Sequence, residues 1–446
     1  MATLGAVSPA VLTLGLAIES TSGVLATAPT LGITLGAESR PKNVKPSGQR
    51  RTYSNADPVL TWRKGETTDI TLPMLPVLED NGLGELMLAH FGTDTPTRVG
   101  ASAAYIHAFT RADLIKTLTL WIHDGLHDKA VRMNGVESID ITAKKEDGDV
   151  AISCVLKGAD MAESATFGSP TFLDTGVAQA RALNGFQGRF EWGQPAANIR
   201  DTWTQLKFSS KRPMTLGPNS KAGNHFAGSG SPQLITSSEC DTTLDIDFID
   251  TDGEEERRIR AGQMVAATAV QQSDAAALVN YRFTLFGNQA DAANSPWGEA
   301  DIANTGAVTP TIAGTYSGGA TVTMYELKVT TAASPNKYSW RSCTGGIWTA
   351  WSAEIDMLVT ATAVGAEGLT VIFSSLTANA LGDKFYVYSH PMRFLRVVSM
   401  TNRYESLTDQ GGKGFDAKTA SCYHTSGSTG TKPLLSICIP KAGAFV

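Results

Sequence analysis

The chain has 446 residues, enough for two or three domains at the usual ~100–200 residues each. Hydrophobic residues make up 42% and charged residues 18%, so it is a folded chain, and a formal charge of −6 speaks against tight DNA binding, which needs concentrated Lys and Arg. Forty-three Gly and nineteen Pro, with abundant Thr and Ser, favour strands and turns over long helices. Five cysteines, Cys154, Cys240, Cys343, Cys422 and Cys438, show no metal-type spacing and are expected as reduced thiols of a protein made in a cytoplasm. No basic residue precedes Arg40, so the apolar segment 11–18 lacks the flank of a secretory signal. No apolar run approaches the ~18 residues of a membrane helix.

In chain order, residues 1–40 are apolar and Thr/Gly-rich, with a strand expected at 31–35. A Pro/Gly-containing basic arm follows over 40–51, carrying Arg40, Lys42, Lys45, Arg50 and Arg51. Strands are expected at 59–62 and 67–72, then a helix at 82–91 with Leu83, Leu86, Met87 and His90 on one face. Alternation predicts a strand over 114–122 and a hairpin of 138–143 with 150–156 across a charged turn. A small-residue linker covers 158–184.

The order then repeats. Phe186, Phe190 and Trp192 share a strand face, and 204–208 is another strand. A second basic, Pro/Gly-rich loop follows over 211–225, with Lys211, Arg212 and Lys221; Arg212-Pro213 echoes Arg40-Pro41. In the stretch 238–262, Leu244, Ile246 and Phe248 alternate with Thr243, Asp245 and Asp247, so the apolar set faces a core and the acids face outward. Asp252, Glu254, Glu255, Glu256 and Gly262 suit a helix from 252 to 262. After a strand at 281–286 the repeat is interrupted by a block, about 290–391, with its own strands at 321–330, 337–341, 369–373 and 384–388. Strands at 394–398 and 434–439 complete the second unit.

No catalytic constellation survives weighing. His123 and His127 stand four apart, but Asp124-Gly125 between them marks a solvated hairpin loop rather than a helical metal site. The Gly-rich segment 223–230 lacks the Lys-Ser/Thr of a phosphate loop. Asp241, Asp245, Asp247 and Asp250 lack calcium-loop spacing and read as a solvated acidic face. Trp297, Trp340, Trp348, Trp351, Tyr316, Tyr325 and Tyr338 could form a sugar platform, but core aromatics of a small β-sandwich fit better. No catalytic, cofactor-binding or metal-ligating residue is assigned.

Several stretches together carry a family resemblance. They are Leu83–Gly92 ending Ala89-His90-Phe91-Gly92, then Tyr105–Thr110, Thr117–Trp121, Met133–Ile141 and Thr242–Asp250. On these the chain resembles the major tail tube protein of long, non-contractile-tailed bacteriophages. The inserted block resembles a β-rich module that recurs in phage structural proteins. The resemblance implies a mainly β fold: two tandem β-sandwich or rolled-sheet domains, each with a flanking short helix, over 1–165 and over 166–289 with 392–446. A small β-sandwich decoration domain is inserted at 290–391.

It implies a structural virion protein whose rings stack into a tube that conducts DNA into the host. Rings of six single domains are usual in the family, so a doubled chain implies three chains to a ring. Expected partners are further copies, tape-measure and tail-tip or terminator proteins, and DNA that slides through without specific binding; no membrane is involved. Thr243, Asp245, Asp247, Ser138, Asp140 and Thr142 become lumen-facing candidates on an acidic, DNA-repelling wall. Arg40, Lys42, Lys45, Arg50, Arg51, Lys211, Arg212 and Lys221 become ring-stacking candidates, and the insert an external decoration that can be deleted without loss of assembly. The alternatives are another tail or capsid-decorating virion protein, a glycan-binding module, and, lowest, an enzyme.

Overall fold

The computed structural model describes residues 13–33, 42–44, 47–50, 60–63, 67–79, 82–123, 128–159, 161–163, 182–192, 203–217, 234–237, 240–249, 278–291, 295–302, 304, 306, 308–409, 417–424 and 435–445. The fold is mainly β, with one α-helix among the described residues. The expected helix at 252–262 and the Gly-rich segment 223–230 lie outside them.

The first half supplies β1 (Thr13–Ile18), β2 (Leu31–Ile33), β3 (Lys42–Val44), β4 (Ser47–Arg50), β5 (Leu60–Arg63) and β6 (Thr67–Met74). Helix α1 (Leu83–Phe91) follows, then β7 (Gly92–Arg98), β8 (Tyr105–Arg111), β9 (Leu118–His123), β10 (Asp128–Lys144), β11 (Val150–Gly158) and β12 (Met161–Glu163). The strand expected from 114 begins only at Leu118; Leu114 itself is 85% exposed in the preceding loop. Helix α1 is buried on every side rather than on one face. The sheet covers one side, and the C-terminal segment covers another by placing the Phe445 ring against Gly84, where an added Cβ would fall 2.1 Å from the ring.

The second half supplies β13 (Gly188–Trp192), β14 (Trp203–Lys211), β15 (Met214–Gly217), β16 (Leu234–Ser237), β17 (Asp241–Ile249) and β18 (Leu278–Gln289). The inserted block contains β19 (Trp297–Ala300), β20 (Thr311–Gly314), β21 (Thr323–Thr331), β22 (Lys337–Thr344) and β23 (Ile347–Trp348). It continues with β24 (Ile355–Asp356), β25 (Thr362–Val364), β26 (Leu369–Ile372) and β27 (Lys384–Tyr388). The chain then returns as β28 (Met392–Asp409), β29 (Ala417–His424) and β30 (Leu435–Ile439).

The two halves repeat one set of antiparallel pairings. In the first, β1 lies on β9, β3 on β6, β4 on β5, β6 on β11, β9 on β10 and β10 on β11. In the second, β13 lies on β18, β14 on β17, β15 on β16, β17 on β29, β18 on β28 and β28 on β29. Even the bulge recurs, between Val136 and Ser138 in β10 and between Tyr404 and Ser406 in β28. Aligning the bulges sets Ile70, Leu72 and Met74 of β6 on Leu244, Ile246 and Phe248 of β17, and all six are buried. Between β3/β4 and β14/β15 the same alignment matches Arg212-Pro213 to Lys45-Pro46, not to Arg40-Pro41.

The halves are nevertheless not two separate cores. Strand β10 accepts β14 on its outer edge, with Ile139 opposite Ser210 and Ile141 opposite Phe208. C-terminal β30 runs between second-half β28 and first-half β8. The rolled sheet therefore encloses one apolar cluster drawn from both halves, including Leu72, Phe91, Ile139, Phe208, Leu244 and Phe283. The expected boundary at 165/166 is no break in the core.

The inserted block has its own core, around Tyr325, Leu327, Tyr338, Leu369, Phe373 and Phe385, between one sheet built on β27, β21 and β22 and another of β20, β26 and β25. Its neck closes where the Ala290 amide donates to the Pro391 carbonyl at 2.7 Å. It is not a loosely hung decoration. Its Glu299 meets Arg189 of β13, Arg282 of β18 (3.6 Å) and Arg396 of β28 (2.7 Å), while Arg282 also grips Glu191 at 2.5 Å. All five are largely buried. Burial alone would raise the Glu299 pKa, but the three guanidiniums outweigh it and hold the carboxyl well below the usual carboxylate range. Trp297 stacks on Tyr388 with ring centroids 4.7 Å apart and on Phe394 at 6.0 Å, adding an apolar half to the same contact.

Breaking a buried ion network from one side costs about 3–5 kcal/mol, because the partners stay buried and unpaired. Glu299→Ala is therefore expected to lower unfolding free energy by roughly that amount, measured by urea titration. For the same reason, simple deletion of 290–391 is expected to destabilise the body, and deletion combined with Arg396→Leu and with neutralisation of the whole Arg189–Glu191–Arg282 set (Arg189→Leu, Glu191→Leu, Arg282→Leu) to restore much of the loss.

Candidate functional site

Eight strands run edge to edge in the order β3, β6, β11, β10, β14, β17, β29, β28. Period-two alternation gives this ladder one apolar and one polar face. Among its described side chains, the polar face carries Asp69 and Thr71 of β6, Ser153 and Lys157 of β11, and Ser138, Asp140, Thr142 and Lys144 of β10. Across the seam it continues with Gln205, Lys207, Ser209 and Lys211 of β14 and Asp241, Thr243, Asp245 and Asp247 of β17. The six residues expected to share an outward face, Ser138, Asp140, Thr142, Thr243, Asp245 and Asp247, thus stand on two strands of one ladder with only β14 between them.

That face is polar but not acidic, which departs from the expectation. Lys207 stands opposite Asp245, Lys211 opposite Asp241, and Lys157 opposite Asp69. The acids were visible in the pattern of one strand; the lysines opposite them lie on strands whose register sequence alone does not set. Asp140 is held by its neighbours: Ser209 Oγ donates to one carboxylate oxygen at 2.5 Å and Ser138 Oγ to the other at 3.1 Å. Ser138 and Ser209 are accordingly almost buried.

Beneath the β10–β14 seam lies a buried polar cluster. His90, on α1, has Nδ1 2.9 Å from the Val136 carbonyl and Nε2 2.8 Å from Ser210 Oγ. A carbonyl only accepts, so Nδ1 donates and Nε2 accepts from the Ser210 hydroxyl; the ring is neutral. Burial lowers its pKa to about 4, against the Val136 hydrogen bond, which raises it; Arg212 and Arg111 lower it further. Cys240 Sγ lies 3.3 Å from Ser210 Oγ, and the Arg111 guanidinium donates to Thr242 Oγ1 at 2.5 Å. The residues come from both halves and tie α1 and β10 to β14 and β17. Their burial leaves no room for a substrate at His90 or Ser210, each 0% exposed, so the arrangement is a joint and not an active site.

The basic loop residues divide. Arg212 does not project for stacking: it is 6% exposed and donates to the carbonyls of His90 (3.2 Å) and Ala112 (2.7 Å), satisfying the C-terminal end of α1 and the turn after β8. Lys211 stays exposed at the end of β14. Lys42 lies in β3 and Arg50 in β4. Arg40, Lys45, Arg51 and Lys221 lie outside the described residues, as does His127 of the paired histidines. Of the insert aromatics, Tyr316, Tyr325 and Tyr338 are core, Trp297 is in the docking contact, and Trp348 and Trp351 flank the Arg341 guanidinium at 4.2 and 4.7 Å. Cys154, Cys240, Cys343 and Cys438 are free thiols. No helix among the described residues is long and apolar enough to cross a membrane.

The sign of the His90 contribution follows from its lowered pKa. Above about pH 6.5 it is neutral folded and unfolded; below that the unfolded chain takes up the proton first, so stability falls between about pH 6.5 and 4. The loss is about 3 kcal/mol at full development. His90→Asn is expected to remove this component, so that the difference in urea midpoint between wild type and variant narrows as pH falls from 7 to 4.5.

No protein-family model matches this chain, and no curated protein matches it either.

Proposed function

We propose that this chain is a structural virion protein that polymerises through its sheet edges into the stacked rings of a phage tail tube, a conduit for DNA. The observation that supports it most is the seam. Inside one chain, the β10 edge of the first half takes up the β14 edge of the second. The corresponding edges at the two ends of the ladder, β3 and residues 404–409 of β28, have no second strand partner among the described residues. Unpaired edges are templates for further strands. A head-to-tail contact between such edges makes a closed ring or an open filament, according to whether its rotation closes.

The face chemistry fits a conduit. DNA is held by concentrated Lys and Arg, and here Lys157, Lys207 and Lys211 are set opposite acids, so the wall offers many hydroxyls and little net field. Two half-units per chain fit three chains to a ring. Tape-measure and tail-tip or terminator proteins are the further partners, and the assembled virion tail is the location.

Negative-stain microscopy of the purified protein at rising concentration is expected to show hollow tubes with a regular axial repeat. Closed rings that never stack would point to a terminator or tip component, and a persistent monomer would overturn the proposal. Asp245→Lys with Asp247→Lys is expected to leave folding intact, because both side chains are only half-buried. The assembled variant should retain DNA at 50 mM salt and release it as salt rises, read by filter binding. Loss of folding instead would show that these side chains are needed in the packed structure.

A further inference from the structure

The internal repeat specifies more than which edges meet. We infer that residues 406–408 of one chain pair antiparallel with residues 42–44 of a second copy in one particular register: Ser406 with Val44, Leu407 with Asn43 and Thr408 with Lys42. The inference rests on the proposed assembly but adds the residue-level contact.

The register follows from the antiparallel pairings that the two halves share. Strand β11 leaves its bulge with Val155 opposite Ser138, and β29 leaves the equivalent bulge with Ser421 opposite Ser406. Ser138 therefore matches Ser406, Ile139 matches Leu407 and Asp140 matches Thr408. One strand over, Thr71 pairs with Val155 as Asp245 pairs with Ser421, so Asp69 matches Thr243. At the outer edge, Lys42 pairs with Asp69 as Ser209 pairs with Thr243, so Lys42 matches Ser209, Asn43 matches Ser210 and Val44 matches Lys211. Within the chain, Ser138 faces Lys211, Ile139 faces Ser210 and Asp140 faces Ser209. Carrying those pairs to the free edges gives the stated register.

The two edges have the right parity. A one-residue slip would reverse the face of every position on the joining strand relative to the seam. The matched register gives positions 408 and 42 the places that Asp140 and Ser209 hold in the seam, where those two hydrogen-bond.

Directly opposed residues on antiparallel strands have Cα atoms about 4.5–5.5 Å apart, within reach of a disulfide. The test is the double variant Lys42→Cys/Thr408→Cys, oxidised with copper–phenanthroline at assembling concentration beside the wild type, whose own cysteines set the background. Asp140→Cys/Ser209→Cys, the same pair inside the chain, serves as the geometric control and should give an intrachain disulfide in the monomer.

The expected result is a ladder of covalent multimers on a denaturing gel that ends at one closed species, absent from the wild type. The size of that species counts the chains in a ring. Assembled particles that stay uncross-linked, or that cross-link through Val44→Cys/Thr408→Cys instead, overturn the register and leave the assembly proposal standing. A chain that remains monomeric at every concentration overturns both.

Discussion

The structure depends on where its backbone hydrogen bonds can go. A strand presents N–H and C=O groups on two edges, and a buried or half-buried edge without a partner is costly. Two half-units of the same pairing pattern meet here by the most economical route, with the β10 edge of one accepting the β14 edge of the other. Everything near that seam serves it. Neutral His90 bridges a β10 carbonyl and a β14 hydroxyl, Arg212 satisfies carbonyls at the end of α1, and Asp140 is shared by serines of both strands. C-terminal β30 joins the halves a second time, between β28 and β8. Among the described residues, β3 and residues 404–409 of β28 meet the same requirement on one side only.

The inserted block is held by a different force. Three buried guanidiniums from the body and one carboxylate from the insert fix its orientation, with Glu191 taking part of the charge. Such networks are weak sources of net stability but strong sources of specificity, because any other docking angle leaves charge buried without a partner. The Trp297–Tyr388–Phe394 stack supplies the apolar area that ionic contacts do not. The consequence is positional: a module so seated projects in one direction from every copy. Its own core is complete without the body, which is how an independent module can be carried while its outer sheet face is given over to docking.

Much of this was legible in the sequence because period two is a local signal. Leu244, Ile246 and Phe248 were readable as a buried set from their neighbours alone, and the 290–391 block announced itself by its own strands and turns. Strand β1 was not readable, since Leu14, Gly15, Leu16 and Ala17 are buried on both faces and show no alternation. The alternation at Leu114 misled, because exposed loop residues can alternate by accident. Arg212 carried no local hint of burial; its acceptors are a hundred or more residues away in sequence. The same holds for Glu299, whose ionic partners are arginines from three other strands.

The polar face shows why register is the quantity that decides. From one strand, Asp241, Asp245 and Asp247 describe an acidic wall. With β14 laid beside it, Lys207 and Lys211 fall opposite two of those acids and the wall becomes polar and nearly balanced. A conduit lined only by acids would repel DNA, but would also repel itself when identical sheets close edge to edge, since every added copy would bring the same charge to a confined space. In the conduit proposed above, lysine and aspartate set opposite one another across strands would remove that penalty and still deny phosphate a concentrated cationic track. The stretch 241–249 therefore matters less as a set of carboxylates than as one rung of a ladder whose chemistry is written across strands.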